Sequence, residues 1–331
     1  MMRLKNKRKG TGMSKVNIIM YHYVRSIAGS RYPGIKGLET GDFIKQLDFL
    51  KENGFSFIRM EELIASYQES YVLPEKAVLL TFDDAYRDHF TEVFPILHER
   101  GIQGSFFVPG EVVDRKVVLP VNKIHFILAV ENDHHHLKEE LLKMLDQHRG
   151  REFDIPENGD LLKEYEKPGK FDDPETVFVK KMLQFALPER LRDMLLDSLF
   201  EKMVDVPEKV LWDELYLKEY QIKAMKKSGM FFGAHGYHHY HLGEAGHDEM
   251  KEDIIKGLQV IDSCIDRDSW VMNYPYGSYN DDVLQVIRSL GAKLAITTKV
   301  GVNDTKKDDA FHICRLNTND FPPKSDKYLN Y

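Results

Sequence analysis

Cysteine is nearly missing from this chain: among 331 residues only Cys264 and Cys314 occur. Neither has a neighbour at metal-clip or redox spacing, so zinc ribbons and CxxC chemistry are excluded and both read as inert thiols. No apolar run approaches the roughly 18 residues that a membrane-spanning helix needs, so no stable membrane insertion is expected. An excess of positive charge is also missing. Lys and Arg number 46 against 53 Asp and Glu, for a net charge of -7, which argues against a general nucleic-acid binder. A secretory leader is not apparent either. The basic start MMRLKNKRKGTGMSK leads into a short apolar run, Val16–Val24, that contains His22 and stops at Arg25, as a strand would. The expectation is a cytoplasmic protein with a flexible basic tail over residues 1–15, able at most to touch the inner membrane face.

What is present is a globular composition, 42% hydrophobic and 30% charged. β-rich runs alternate with helical spacing. Strands are predicted at Val16–Tyr23, Phe55–Met60, Ala77–Asp84, Gly104–Pro109, Met230–Gly236, Trp270–Gly277, Leu294–Thr298 and Phe311–Asn317. Between them fall helices at Phe43–Asn53, Glu61–Gln68, Asp88–Arg100, Leu217–Ser228, Asp248–Ile265 and Asp281–Leu290. The first and third of these stop at Gly54 and Gly101. Repeated β–α units imply parallel strands covered by helices. The expected fold is α/β, an irregular TIM-like (β/α)7–8 barrel over residues 16–331. The alternation lapses from about 117 to 212, which reads as a helical insertion. In it Leu137–His148, Pro174–Leu187 and Pro188–Val204 are helices and Arg149–Asp173 is a loop. The triplet His134–His136 reads as a solvated surface cluster.

Chemistry in such barrels gathers at the C-terminal ends of the strands. His22, the pair Asp83–Asp84, His235 and the turn Pro275–Gly277 all fall at predicted strand ends. Adjacent carboxylates after the apolar run AVLL are costly unless paired, ligated or exposed. In GAHGYHHYHL, His235 and His239 are four apart, a spacing that brings two imidazoles to one side of a helical turn or tight loop. Two imidazoles and one carboxylate leave positions open for water and substrate, as catalytic metals require. In NYPYGSYN, Pro275 and Gly277 fix a rigid turn whose backbone N–H groups suit an oxyanion. Tyr21, Tyr23, Tyr237, Tyr240, Tyr276 and Tyr279 crowd these motifs, as core packing or as stacking surfaces for sugar rings.

The order TFDD, HxxxH and YPYG resembles the polysaccharide deacetylase family, the NodB-homology or carbohydrate esterase family 4 group. The segments MYHYV and FIKQLDFLKENGF resemble its poly-N-acetylglucosamine deacetylase subset. The resemblance covers about Val16–Gly110 and Leu217–Arg315 and implies a NodB-type barrel. It implies that Asp84, His235 and His239 hold a divalent metal (zinc, or nickel, cobalt or manganese) and that Asp83 is the catalytic base. It further implies that the Tyr276 N–H binds the oxyanion and His22 is the general acid. Two departures stand out. Ala85 replaces the family's Gly after the aspartates, which requires negative φ or strain. Asn273 replaces an Arg that orients the base, and Arg315 is the candidate substitute. The implied activity is removal of N-acetyl groups from an amino sugar in a glycan or glycan precursor, in making a surface polysaccharide. The alternatives are a deformylase or other amide deacylase on the same scaffold, or a non-catalytic carbohydrate-binding protein.

Overall fold

The computed structural model describes residues 14–169 and 172–331, so most of the expected basic tail lies outside the described residues. The chain forms two compact units. One comprises residues up to Ser26, Gly37–Lys116 and Glu214–Tyr331; the other comprises Ile27–Lys36 and Val117–Asp213.

Among the described residues the first unit has nine strands: β1 Lys15–Tyr21, β2 Ser56–Phe57, β3 Ala77–Phe82, β4 Gly104–Val108, β5 Phe231–Ala234, β6 Val271–Asn273, β7 Leu294–Val300, β8 Asn303–Asp304 and β9 Ile313–Asn317. Seven of them close a parallel ring in the order β1-β3-β4-β5-β6-β7-β9, because β1 pairs with both β3 and β9. The expected barrel is therefore present, with seven strands. Short β2 lies parallel on β3, and β8 lies antiparallel on β1. Successive side chains of a strand face opposite ways. Val16, Ile18, Ala77, Leu79, Phe107, Phe231, Val271, Leu294, Ile296 and Ile313, from all seven ring strands, join one buried cluster. The alternate set carries an aromatic ladder. Tyr21, Phe82, Phe106 and Phe232 stand in register on adjacent strands, with successive centroids 5.0, 4.9 and 5.5 Å apart. Phe43, from the helix Thr40–Glu52, meets this ladder edge-on. Both faces of the strands are thus covered, which explains why AVLLTF in β3 is apolar at every position but Thr81.

Several predicted boundaries shift for identifiable reasons. The run Phe55–Met60 yields only two paired residues, outside the ring. A helix starts at Met60, where the Arg59 N–H donates to Glu62 Oε2 at 2.9 Å. The helix predicted over Asp88–Arg100 opens with a π-helical turn, His89–Val93, before Phe94–Glu99; Pro95 cannot donate the regular bond at this junction.

The second unit is helical. Its helices include Pro120–Val130, His134–His148, Asn158–Tyr165, Pro174–Lys181 and Glu189–Met203. Leu137, Leu141 and Leu145 form a buried stripe on one of them, and Leu191, Leu195 and Leu199 on another, at i, i+4 spacing. The stretch predicted as a loop, Arg149–Asp173, contains the helix Asn158–Tyr165. Leu161 is its only buried residue, too small an apolar face to show in the sequence pattern. His134, His135 and His136 each face a carboxylate, Asp173, Glu175 and Glu131, with Nδ1–oxygen distances of 3.1, 2.8 and 3.1 Å.

Phe106 is fully buried within the aromatic ladder. Phe106→Ala is expected to lower the unfolding free energy by about 3–5 kcal/mol, read from urea denaturation curves; a loss under about 1 kcal/mol would deny the ladder its part in stability.

Candidate functional site

The inward-facing rows of the barrel turn polar toward the C-terminal ends of the strands and the residues just after them. Leu79, Thr81 and Asp83 share one parity on β3 and its exit; Val271 and Asn273 do so on β6, Ile313 and Arg315 on β9, and Phe231, Gly233 and His235 on β5. A parallel ring brings all these C-terminal ends to one rim, so residues up to 234 positions apart meet.

Asp83 is buried at this rim. Its Oδ1 accepts from Arg315 Nη1 at 2.8 Å and from Asn273 Nδ2 at 2.7 Å. Arg315, also buried, donates from Nη2 to Asn273 Oδ1 at 3.2 Å and from Nε to the Thr297 carbonyl at 2.9 Å. Asn273 thus ties both members of a buried ion pair. Burial pushes the Asp83 carboxyl up, but Arg315 and, behind it, His22 and His235 outweigh that and hold it below its usual range. The Nε2 of His22 stands 3.8 Å from Asp83 Oδ2, and its side chain is 44% exposed, open to a substrate.

Asp84 turns toward a second cluster. Strand β3 ends at Phe82, and Asp84 and Ala85 take φ of 71° and 54°. This left-handed turn lets consecutive carboxylates serve one rim, whereas extended backbone would send them to opposite faces. Ala85 therefore takes the strained of the two conformations open to it. Asp84 Oδ1 lies 3.4 Å from His235 Nε2 and 3.3 Å from His239 Nε2. His235 Nδ1 is 2.7 Å from the Asn273 carbonyl, to which it must donate, so Nε2 is the nitrogen left facing Asp84. Asp84 Oδ1 is buried and has no hydrogen-bond donor. Two imidazole nitrogens and an orphaned carboxylate oxygen, all buried and within 4.8 Å of one another, are a donor set that a divalent cation fits. Burial lowers the His239 imidazole, favouring the neutral form that ligates.

The His235–His239 segment is a tight loop, with φ of 68° at Gly236 and 61° at His239. Asp253, on the helix His247–Val260, clamps it: Oδ1 accepts from the Tyr237 N–H at 2.7 Å and Oδ2 from the His238 N–H at 2.9 Å. Tyr276 also has positive φ, 57°, and its ring stacks flat on His241 at 4.2 Å and meets His239 edge-on at 4.7 Å.

The sequence model for polysaccharide deacetylases matches residues 71–150 and 200–295. The chain belongs to the polysaccharide deacetylase family. Among curated relatives, a Bacillus subtilis protein, YxkH, named as a polysaccharide deacetylase, is 27% identical over 135 residues, 41% of this chain and 40% of that protein. The poly-beta-1,6-N-acetyl-D-glucosamine N-deacetylase of Escherichia coli is 36% identical over 80 residues, 24% of this chain and 12% of the enzyme. The chain thus spans well under half the length of either relative. Among solved structures, the Streptococcus pyogenes deacetylase PplD in complex with acetate shares the fold, with a TM-score of 0.59 at 18% identity, over 96% of this chain and 97% of that one.

For a polysaccharide deacetylase barrel, the sequence pointed to Asp83, Asp84, His22, His235, His239, Tyr276 and Arg315. Asp83, Arg315 and His22 meet around one carboxylate, and Asp84, His235 and His239 around one point. Tyr86, whose hydroxyl donates to Asp84 Oδ2 at 2.8 Å, Asn273 and Asp253 are partners of these residues or of their loop that the motifs do not single out. Asn273 had registered only as a missing Arg. Asp253 sits on a distant amphipathic helix, where nothing in the pattern sets it apart from a solvated acid.

Gly257, one turn beyond Asp253, packs against the Gly236 backbone; a Cβ there would lie 2.8 Å from the Gly236 carbonyl carbon and oxygen. Gly257→Ala is expected to cost about 1–3 kcal/mol and to displace the histidine loop. Thermal unfolding and bound-metal content of the purified protein should both drop, and unchanged values would refute the packing argument.

Proposed function

We propose that this chain is a metal-dependent hydrolase that removes N-acetyl groups from an amino sugar of a glycan or glycan precursor, in the making of a surface polysaccharide. The observation that carries the reading is the meeting of an orphaned Asp84 oxygen with the Nε2 atoms of His235 and His239, beside a second buried carboxylate, Asp83, that is already neutralised by Arg315. One acid is left for a cation and the other for proton transfer. Family membership and the Escherichia coli relative's named substrate support the choice of an N-acetylated sugar.

In this reading Asp84, His235 and His239 hold a divalent ion, zinc or a similar metal. When bound, the ion lowers the pKa of water and polarises the amide carbonyl. Asp83, kept ionised by Arg315, takes the proton of the attacking water. The backbone N–H of Tyr276 donates to the oxyanion of the tetrahedral intermediate. His22, exposed on the other side of Asp83, protonates the departing amine, which cannot leave as an anion. Products are acetate and a free amino sugar.

Activity on an N-acetylglucosamine oligomer, followed as acetate release, should vanish on chelation, return with zinc, and fall roughly a hundredfold or more in Asp84→Asn. Release of formate from an N-formyl analogue, without acetate from the N-acetyl substrate, would replace this reading by a deformylase.

The Arg315 charge sets a second expectation. Without it, burial acts on Asp83 with less opposition, so the carboxyl pKa rises. In Arg315→Met the acid limb of the kcat/KM profile should therefore move to higher pH, by about one unit or more. An acid limb that stays in place would mean that Asp83 is not the group titrating there.

A further inference from the structure

Asp84 has two oxygens, and a carboxylate free at both can grip a cation through one or both. We propose that Tyr86 is a positioning residue that occupies Asp84 Oδ2 and thereby restricts Asp84 to ligation through Oδ1 alone. This rests on the metal reading above and adds to it a control on how many protein atoms reach the ion.

The Tyr86 hydroxyl donates to Asp84 Oδ2 at 2.8 Å, while Oδ1 faces the two imidazoles. The hydroxyl is held there from three directions. Its ring stacks on Tyr23, with centroids 3.9 Å apart and planes 20° apart. It also stacks on Tyr216, with centroids 6.1 Å apart and planes 15° apart. Its backbone is fixed by an antiparallel bridge to Tyr216, flanked by the Arg87 N–H to the Leu215 carbonyl at 2.7 Å and the Leu217 N–H to the Ala85 carbonyl at 2.9 Å. Tyr86 is 1% exposed, so solvent does not compete for Oδ2. The left-handed turn at Asp84 and Ala85 sets the carboxylate between the hydroxyl and the histidines.

The chemical consequence follows from what a catalytic ion needs. Three protein ligand atoms leave room for both water and the amide oxygen. A second oxygen from Asp84 would fill one of those positions. Hydrogen bonds to ligating carboxylates also orient them, and their loss costs affinity.

The test uses the full chain stripped of metal and titrated with cobalt(II), which reports its coordination in the visible spectrum. Tyr86→Phe keeps the ring and removes only the hydroxyl. It should weaken cobalt and zinc binding about 10-fold or more in competition with a chromogenic chelator. It should also lower the intensity of the cobalt bands, as the freed Oδ2 joins the ion and raises its coordination number. Tyr21→Phe is the control, because it removes a buried hydroxyl that donates to Gln46 Oε1 at 3.1 Å and to none of Asp84, His235 and His239; both readouts should match wild type. If the wild-type chain takes up no cobalt, the metal reading itself fails. If it binds cobalt and Tyr86→Phe matches it in affinity and spectrum, the Tyr86 inference is overturned while the metal reading stands. Lost affinity with an unchanged spectrum also overturns it, leaving Tyr86 a packing role. Should Tyr86→Phe not fold, a zinc-bound crystal structure of the wild type decides: Oδ1 alone on the ion supports the inference, and both oxygens on the ion refute it.

Discussion

Two neighbouring carboxylates, Asp83 and Asp84, are buried side by side, and most of the site exists because neither can be left uncompensated there. The barrel solves the problem twice and differently. Asp83 receives a guanidinium from β9 and an amide from β6. Asp84 receives a phenol at one oxygen and two imidazoles near the other. The first solution is internally complete. The second leaves three acceptors turned on a shared point, an arrangement that a cation would relieve. Division of labour between adjacent acids thus follows from how each charge is balanced.

Backbone strain marks the same place. Asp84, Ala85, His239 and Tyr276 all adopt positive φ without being glycine. Such residues persist only where their surroundings over-determine them. The surroundings are identifiable: the Tyr86–Tyr216 bridge behind Asp84, and the Asp253 clamp with Gly257 packed under the histidine loop. Asn273 connects the two halves of the site. Its side chain joins Asp83 to Arg315, and its carbonyl fixes the His235 ring. A change at Asn273 would reach Asp83 and His235 together.

Sequence reasoning went furthest where chemistry needs rare residue types close together. TFDD, HxxxH and YPYG are short, and each reveals itself without long-range information. The parallel barrel was legible because alternating β and α periods persist over most of the chain. The helix Asn158–Tyr165 was not, since one buried leucine makes no periodic stripe. The truncation of the strand at Phe57 hung on a single cap, and the π-turn at His89–Val93 on a single proline.

By itself the sequence determined the family, the ring of β–α units and the identity of the two acids and two imidazoles. Those are local patterns, and local patterns carry their own signal. Only the tertiary structure decided that Arg315 and Asn273 both reach Asp83, that Tyr86 takes one oxygen of Asp84, and that Asp253 holds the histidine loop. The Arg315 contact depends on where distant strands come to rest when the ring closes, the Tyr86 contact on the bridge to Tyr216, and the Asp253 contact on how its helix packs under the loop. An Arg, a Tyr or an Asp alone in a sequence has many structural uses, and its chemistry is fixed only by the partner that folding brings within hydrogen-bond distance.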